Sequence, residues 1–137
     1  MNDEKYIYIM IVFMIIIGYI MSFTMLTGKN GSYNNIYKIH MALLMGSSMA
    51  NVHYGLKGDI TPFIISIIIT IALIVVIRKN INVNDEQFLR GMIEHHDMAL
   101  FMAEFIRNKT KNSKIKDLAD NIIASQQKEI NEMKSWL

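Results

Sequence analysis

The stretch that decides the fold is ITPFIISIIITIALIVVI, Ile60–Ile77, which has no charged residue and is dominated by isoleucine, leucine and valine. A helix needs ~20 predominantly apolar residues to cross the hydrocarbon core of a bilayer. Thr61 can cap such a helix, and Pro62 suits its first turn. Arg78 and Lys79 end the apolar run. We therefore predict a membrane-spanning helix here.

Two further apolar stretches precede this one. The first, from about Tyr6 to Leu26, has no charged residue and is followed by a turn-forming segment, Thr27–Gly31, without a small-residue cleavage site. These features predict a retained helix and not a signal peptide. The second, from about Ile36 to Leu56, is the least apolar of the three. We expect Asn51 within it to form an interhelical hydrogen bond. Its small residues favour close packing of a neighbouring helix, and they are Gly46, Ser47, Ser48 and Ala50.

The distribution of charge predicts two regions. Apolar residues crowd into the first part of the chain and charged residues into the rest. We predict an all-α protein with three transmembrane helices in residues 1–79 and a two-helix amphipathic hairpin in residues 84–137. The net charge is +2 and no basic run alternates with aromatics, which argues against nucleic-acid binding. The chain has no cysteine, which excludes disulfides and zinc-thiolate sites. No nucleophile–base pair or phosphate-binding loop indicates an enzyme.

The hairpin has recognisable helix boundaries. Asn84 is a predicted N-cap, and Gln87 three residues later completes a capping-box pattern. The first helix is predicted from about Asp85 to Asn108. The polar residues that follow break the helix, and Ser113 can cap a second helix that runs to the end of the chain.

Helical periodicity places a pair of histidines on the apolar stripe of the first hairpin helix. The residues expected on that face are Phe88, Met92, His95, His96, Ala99, Met102, Ala103 and Ile106. The second helix has a 4-3-4-3 spacing typical of paired helices. Its members are Ile115, Ala119, Ile122, Gln126, Glu129, Met133 and Trp136.

The two faces together predict a polar cluster out of water. Because buried polar groups must be hydrogen-bonded or ligated, we expect His95 or His96 opposite Glu129 and Gln126. A carboxylate on one imidazole nitrogen leaves the other free as a metal ligand. Thioethers could complete a metal site of the kind that suits Cu(I) or Ag(I), and they belong to Met92, Met102 and Met133. The alternative is a purely structural His–Glu–Gln network.

Methionines also recur at helical spacing in the membrane region. In the first stretch they are Met10, Met14, Met21 and Met25. In the second stretch, Met41, Met45, Met49 and His53 are spaced by four. Facing rows of thioethers could form a path for a soft ion. The alternative is that methionine fills space between close helices. His40 and His53 could simply reach the membrane interface.

The hairpin resembles a known family. FLRGMIEHHDMALFMAEF and LADNIIASQQKEINEMKSWL are similar to the domain-of-unknown-function 305 family, with its Met-Ile-x-His-His box and its Gln-x-x-Glu-Ile-x-x-Met segment. The resemblance implies a ferritin-like bundle, of which this hairpin is half. It also implies a relation to copper- or silver-binding members and to a membrane-bound subgroup with three spans. The residues that carry these implications here are His95, His96, Met92, Met102 and Met133. The family often has proline where this chain has Glu94.

The predicted setting is a multi-pass protein of the plasma (inner) membrane. Lys29, Lys38, Arg78 and Lys79 would lie on one side, and Lys5 and Lys57 on the other, which by the positive-inside rule places the hairpin in the cytoplasm. Because two helices cannot enclose a core alone, we expect hairpins to pair as a homodimer or to pack on their own membrane helices. The expected function is Cu(I) or Ag(I) sequestration. The alternatives are a structural module or a copper-conducting oligomer.

Overall fold

The computed structural model describes the backbone of residues 3–137 and the side chains of residues 5–137. It contains five helices and, within that range, no strand, so the predicted all-α class is confirmed. The helices are α1 Asp3–Met21, α2 Ile36–Lys57, α3 Ile60–Arg78, α4 Asp85–Lys109 and α5 Ser113–Ser135.

The helix ends follow local hydrogen bonding. The Asn84 side chain accepts a bond from the Gln87 N–H at 2.8 Å, which confirms the predicted cap of α4. The cap of α5 is Asn112, which accepts from the Lys114 N–H at 3.0 Å, so the prediction of Ser113 was one residue late. Thr61 lies inside α3, whose N-cap residue is Asp59.

Contacts within the chain divide it into two units. The first, here called the span unit, comprises the chain up to Ser22 together with Ile36–Val83. In it α1 packs on α2, and α2 packs on α3. The predicted close approach of a neighbouring helix is confirmed at Gly46, which is buried and where a Cβ would lie 2.5 Å from Cγ1 of Ile15 on α1. Asn51 donates to Thr70 Oγ1 at 2.9 Å, which is the predicted interhelical bond.

Among the described residues, α3 is the one helix long and apolar enough by itself to cross a membrane. The apolar part of α1, Lys5–Met21, is shorter. It ends before the predicted Leu26 because the chain turns after Met21, where the Ser22 hydroxyl donates to the Tyr19 carbonyl at 2.6 Å. Helix length and composition therefore establish one candidate span, not the three predicted.

The second unit, here called the hairpin unit, comprises Phe23–Asn35 and Asn84–Leu137. Phe23–Asn35 is the segment that joins α1 to α2, and we call it the linker. The sequence pattern predicts that it belongs to the membrane region, whereas its contacts place it with α4 and α5. The core of this unit is formed by Ile93, Leu100, Ile130 and Met133, with Tyr33, Leu89, Met92 and Ile123 packed against it.

Candidate functional site

The middle of α4 buries two of its faces. Side chains three or four residues apart share a helix face, so Ile93, Leu100 and Ala103 face a common direction that includes His96. Glu94 and Asp97 are buried on an adjacent face. His95 is exposed. The expectation that both histidines lie on the buried stripe is therefore wrong for His95, because the linker covers the side of α4 that carries the two carboxylates.

Asp97 is fully buried, and its carboxylate is surrounded by donors from the linker. Thr27 donates its backbone N–H to Oδ2 at 2.7 Å and its hydroxyl to Oδ1 at 2.6 Å. Asn30 Nδ2 donates to Oδ1 at 2.9 Å. Burying a carboxylate is costly unless hydrogen bonds replace its hydration. Here uncharged donors replace it, and none of the described residues forms an ion pair with Asp97.

Glu94 performs a similar role one turn earlier. Its Oε1 accepts the backbone N–H of Tyr33 at 2.8 Å, and its Oε2 accepts Asn35 Nδ2 at 2.6 Å. Glu94 and Asn35 are both buried. Because Glu94 and Asp97 hold the two ends of the same short segment, the carboxylates fix the conformation of the linker. Gly28 and Gly31, with φ of 75° and 87°, supply the left-handed turns that this path requires.

The linker also contacts α5. Asn30 is buried and exchanges hydrogen bonds with Gln127, with Nδ2 to Oε1 at 3.4 Å and Nε2 to Oδ1 at 3.2 Å. Lys134 Nζ donates to the same Asn30 oxygen at 3.2 Å. Asn30 therefore joins the carboxylate of α4 to the polar side of α5.

His96 uses both of its ring nitrogens within the protein. Nδ1 lies 2.8 Å from the Met92 carbonyl oxygen, and Nε2 lies 2.7 Å from Oε2 of Glu129. Because a carbonyl only accepts, Nδ1 carries the hydrogen of that bond. The contact between Nε2 and the carboxyl then contains a second proton, held by one of the two groups. No lone pair of His96 is left for a metal in this arrangement.

Two comparisons with known proteins match different lengths of the chain. The profile of the family described as Domain of unknown function (DUF305) matches residues 85–137, the part that contains α4 and α5. An uncharacterized protein of Acanthamoeba polyphaga mimivirus is 38% identical over 143 aligned positions, which cover 100% of this chain and 93% of the viral protein.

The chain has a DUF305 domain at residues 85–137. Its similarity to the viral protein extends through the span unit, beyond the DUF305 profile. No solved structure matches the chain significantly.

The DUF305 hairpin brings some of the predicted ligand residues together and separates others. Met133 is buried in the core, and Met92 is half-buried against it. The rings of His95 and His96 have their centroids 6.1 Å apart. Met102 is 51% exposed and lines a groove elsewhere on the hairpin. Among the described residues, no three His, Asp or Glu side chains are grouped closely enough to hold a metal ion.

Of the two polar residues predicted to lie opposite the histidines, one contacts His96 and the other does not. Glu129 is the hydrogen-bond partner of His96, although its own side chain is 51% exposed. Gln126 is half-buried, and its side chain makes no hydrogen bond to any described residue. The neighbouring Gln127 makes the contact with the linker.

The side chains of the predicted membrane path differ in their exposure within one chain. Met41 and Met45 are exposed on α2, whereas Met49 and His53 are half-buried. The His53 ring packs edge-on against Tyr54, with 5.2 Å between centroids. His40 is buried, and its Nδ1 has no hydrogen-bond partner in the described part of the chain.

Sequence reasoning missed the two carboxylates that flank the histidines in the DUF305 hairpin. Glu94 and Asp97 are three residues apart, a spacing that places them on one helix face. The linker is rich in amide and hydroxyl side chains and lies between two apolar helices. These two signals together would have indicated a polar segment that needs acceptors.

Proposed function

We propose that the chain is a three-span membrane protein whose DUF305 hairpin binds the linker between the first two spans and serves as a structural module on one side of the membrane. The first support is α3. Only 6% of its most apolar window is buried within the chain. A core helix of a water-soluble protein would bury most of that surface, whereas a helix in lipid leaves it exposed.

The hydrogen bonds of the hairpin unit support a topology in which α2 and α3 both cross the membrane. Thr27 of the linker and Asp97 of α4 are in direct contact, so the two segments lie on the same side of any membrane. The number of crossings between the linker and α4 must then be even. If α3 crosses, α2 crosses as well, although its composition alone does not require it. A single crossing by α3 would separate Thr27 from Asp97.

The first helix completes the arrangement. The apolar part of α1, Lys5–Met21, lies near the lower limit of about 17 residues that can span a bilayer. It packs on α2 and exposes large apolar side chains, including Val12, Phe13 and Ile16. The distribution of lysine and arginine given above favours a cytoplasmic hairpin in a plasma (inner) membrane.

Cysteine labelling can test this topology, because the chain has no native cysteine. Ser32→Cys and Ser113→Cys place thiols at exposed positions of the linker and the hairpin. In sealed vesicles, both should react with a membrane-impermeant maleimide from the same side. Asp59→Cys, between α2 and α3, should react from the opposite side. Labelling of Ser32→Cys and Ser113→Cys from opposite sides, or of all three from one side, would contradict the proposal.

A second candidate function is the sequestration of Cu(I) or Ag(I). It is supported by the resemblance to copper- and silver-binding members and by the exposed ring of His95 beside His96. Because both nitrogens of His96 are hydrogen-bonded, metal binding at His96 would require the bond to Glu129 to break. Met92, one turn before, could supply a thioether. A copper-conducting oligomer would instead use Met41, Met45 and Met49 from neighbouring copies.

Two variants distinguish the structural role from sequestration. In the structural role, His96→Ala lowers the Tm of the full chain because it breaks the bonds to Met92 and Glu129, while His95→Ala has little effect. In sequestration, His95→Ala reduces the stoichiometry of Cu(I) binding without changing the Tm. Titration of Cu(I) against each purified variant, with its Tm measured in parallel, separates these outcomes. Unchanged Cu(I) binding by His95→Ala would exclude His95 as a ligand.

A further inference from the structure

The turn of the hairpin combines positive charge with exposed apolar surface. Between Glu104 and Asp117 the chain has five basic residues and no acidic residue. Arg107 pairs with Asp120. The other four are exposed and make no ion pair with any described residue, and they are Lys109, Lys111, Lys114 and Lys116.

Apolar side chains accompany these lysines. Phe105 is 62% exposed and Leu118 is 59% exposed. The Lys109 ammonium lies over the Phe105 ring, 5.6 Å from its centroid. Nearby, Ile106, Ile115 and other apolar residues of α4 and α5 line an open groove of about 300 Å³. We call Phe105–Leu118 the tip surface.

We propose that the tip surface binds the anionic headgroups of the bilayer that holds the chain's own spans. Unpaired lysines attract anionic lipids, and aromatic and aliphatic side chains between them enter the headgroup region. A second copy fits the tip surface poorly, because two tips would bring like charges together. This inference rests on the membrane topology proposed above.

The test uses the full chain in nanodiscs, which offer each molecule only its own bilayer. Asn108→Cys, in the tip surface, carries an environment-sensitive NBD dye, and Ser125→Cys outside it carries the same dye as a control. Discs of phosphatidylcholine are compared with discs that contain 30% phosphatidylglycerol. We expect the dye at position 108, and not at position 125, to become brighter and blue-shifted in the anionic discs.

Charge variants then test the cause. Each lysine near an anionic surface strengthens binding about fivefold, so Lys111→Gln with Lys114→Gln should weaken the bound state about 25-fold. Lys128→Gln removes an exposed lysine elsewhere on α5 and should change binding of the tip surface to the bilayer little. High salt should have the same effect as the double variant.

Each other outcome overturns the inference. If the fluorescence of the dye at position 108 does not change in anionic discs, the bilayer is excluded as the partner. A response only to added anionic vesicles indicates a second membrane, a response only to RNA indicates a nucleic acid, and a response that depends on two copies per disc indicates a dimer. Failure of the chain to insert into discs would contradict the proposed topology instead, so the two failures are distinguishable.

Discussion

The span unit and the hairpin unit are each stabilised from within, and by different kinds of contact. In the span unit, α1 approaches α2 where Gly46 leaves room, and large apolar side chains remain on the outside. In the hairpin unit, the carboxylates of Glu94 and Asp97 lie inside and organise a segment without regular secondary structure. Helices satisfy their own backbone groups and can rely on shape, whereas an irregular segment needs acceptors for its N–H groups.

The largest effect should come from removing the acceptor at the centre of the hairpin unit. Asp97→Ala leaves the Thr27 N–H, its hydroxyl and the Asn30 amide without their partner. Each buried donor left unsatisfied costs about 1–3 kcal/mol, and since hydration recovers part of that cost we expect a loss of about 3 kcal/mol. Thermal unfolding of the full chain in detergent measures it.

A matched control and a local measurement sharpen this prediction. Asp117→Ala removes an exposed carboxylate of α5 and should change stability by less than about 0.5 kcal/mol. Hydrogen–deuterium exchange should show loss of protection at the Thr27 amide in Asp97→Ala only. Retained protection there would mean that the linker does not depend on Asp97.

An intermediate effect is expected where the span unit depends on shape. Gly46→Ala would place a Cβ 2.5 Å from Ile15 Cγ1, and we expect a destabilisation of about 1–3 kcal/mol. Gly18→Ala is a graded comparison, since its Cβ would meet the end of the Met45 side chain, which can move. In thermal unfolding in detergent, Gly46→Ala should have a lower Tm than Gly18→Ala. The reverse order would contradict the packing described here.

The smallest effect should come from the ion pair between the linker and α4. Lys29 Nζ lies 2.7 Å from Glu104 Oε1, but the two side chains are 64% and 40% exposed. Solvent-exposed pairs contribute about 0–1 kcal/mol, so Lys29→Gln should change the free energy of unfolding by at most about 0.5 kcal/mol. An effect as large as that of Asp97→Ala would show that charge, and not burial of donors, holds the linker.

The sequence predicted the helices well because their signals are local. The cap at Asn84, the small residues around Gly46 and the bond of Asn51 each depend on a short pattern within one or two helices. The match of the Met-Ile-x-His-His box to the DUF305 family was similarly independent of any tertiary contact.

The arrangement around the histidines depended on a partner that helical periodicity cannot reveal. A periodicity argument assumes that α4 buries one face, against α5. In the structure the linker covers a second face, so Glu94 and Asp97 are buried and His95 is exposed. The contact joins Thr27 to Asp97 across 70 positions of the sequence, which no local pattern encodes.

The long sequence separation between the linker and its acceptor on α4 has a consequence for biosynthesis. Its acceptor Asp97 is made 70 residues after Thr27, which at 5–20 residues per second is a delay of roughly 4–14 s. During that interval the Thr27 N–H lacks the acceptor that it has in the folded chain. The segment between the first two helices therefore reaches its final shape late, after translation of α4, and a ribosome stalled before Glu94 would hold a chain whose first connection is still unfolded.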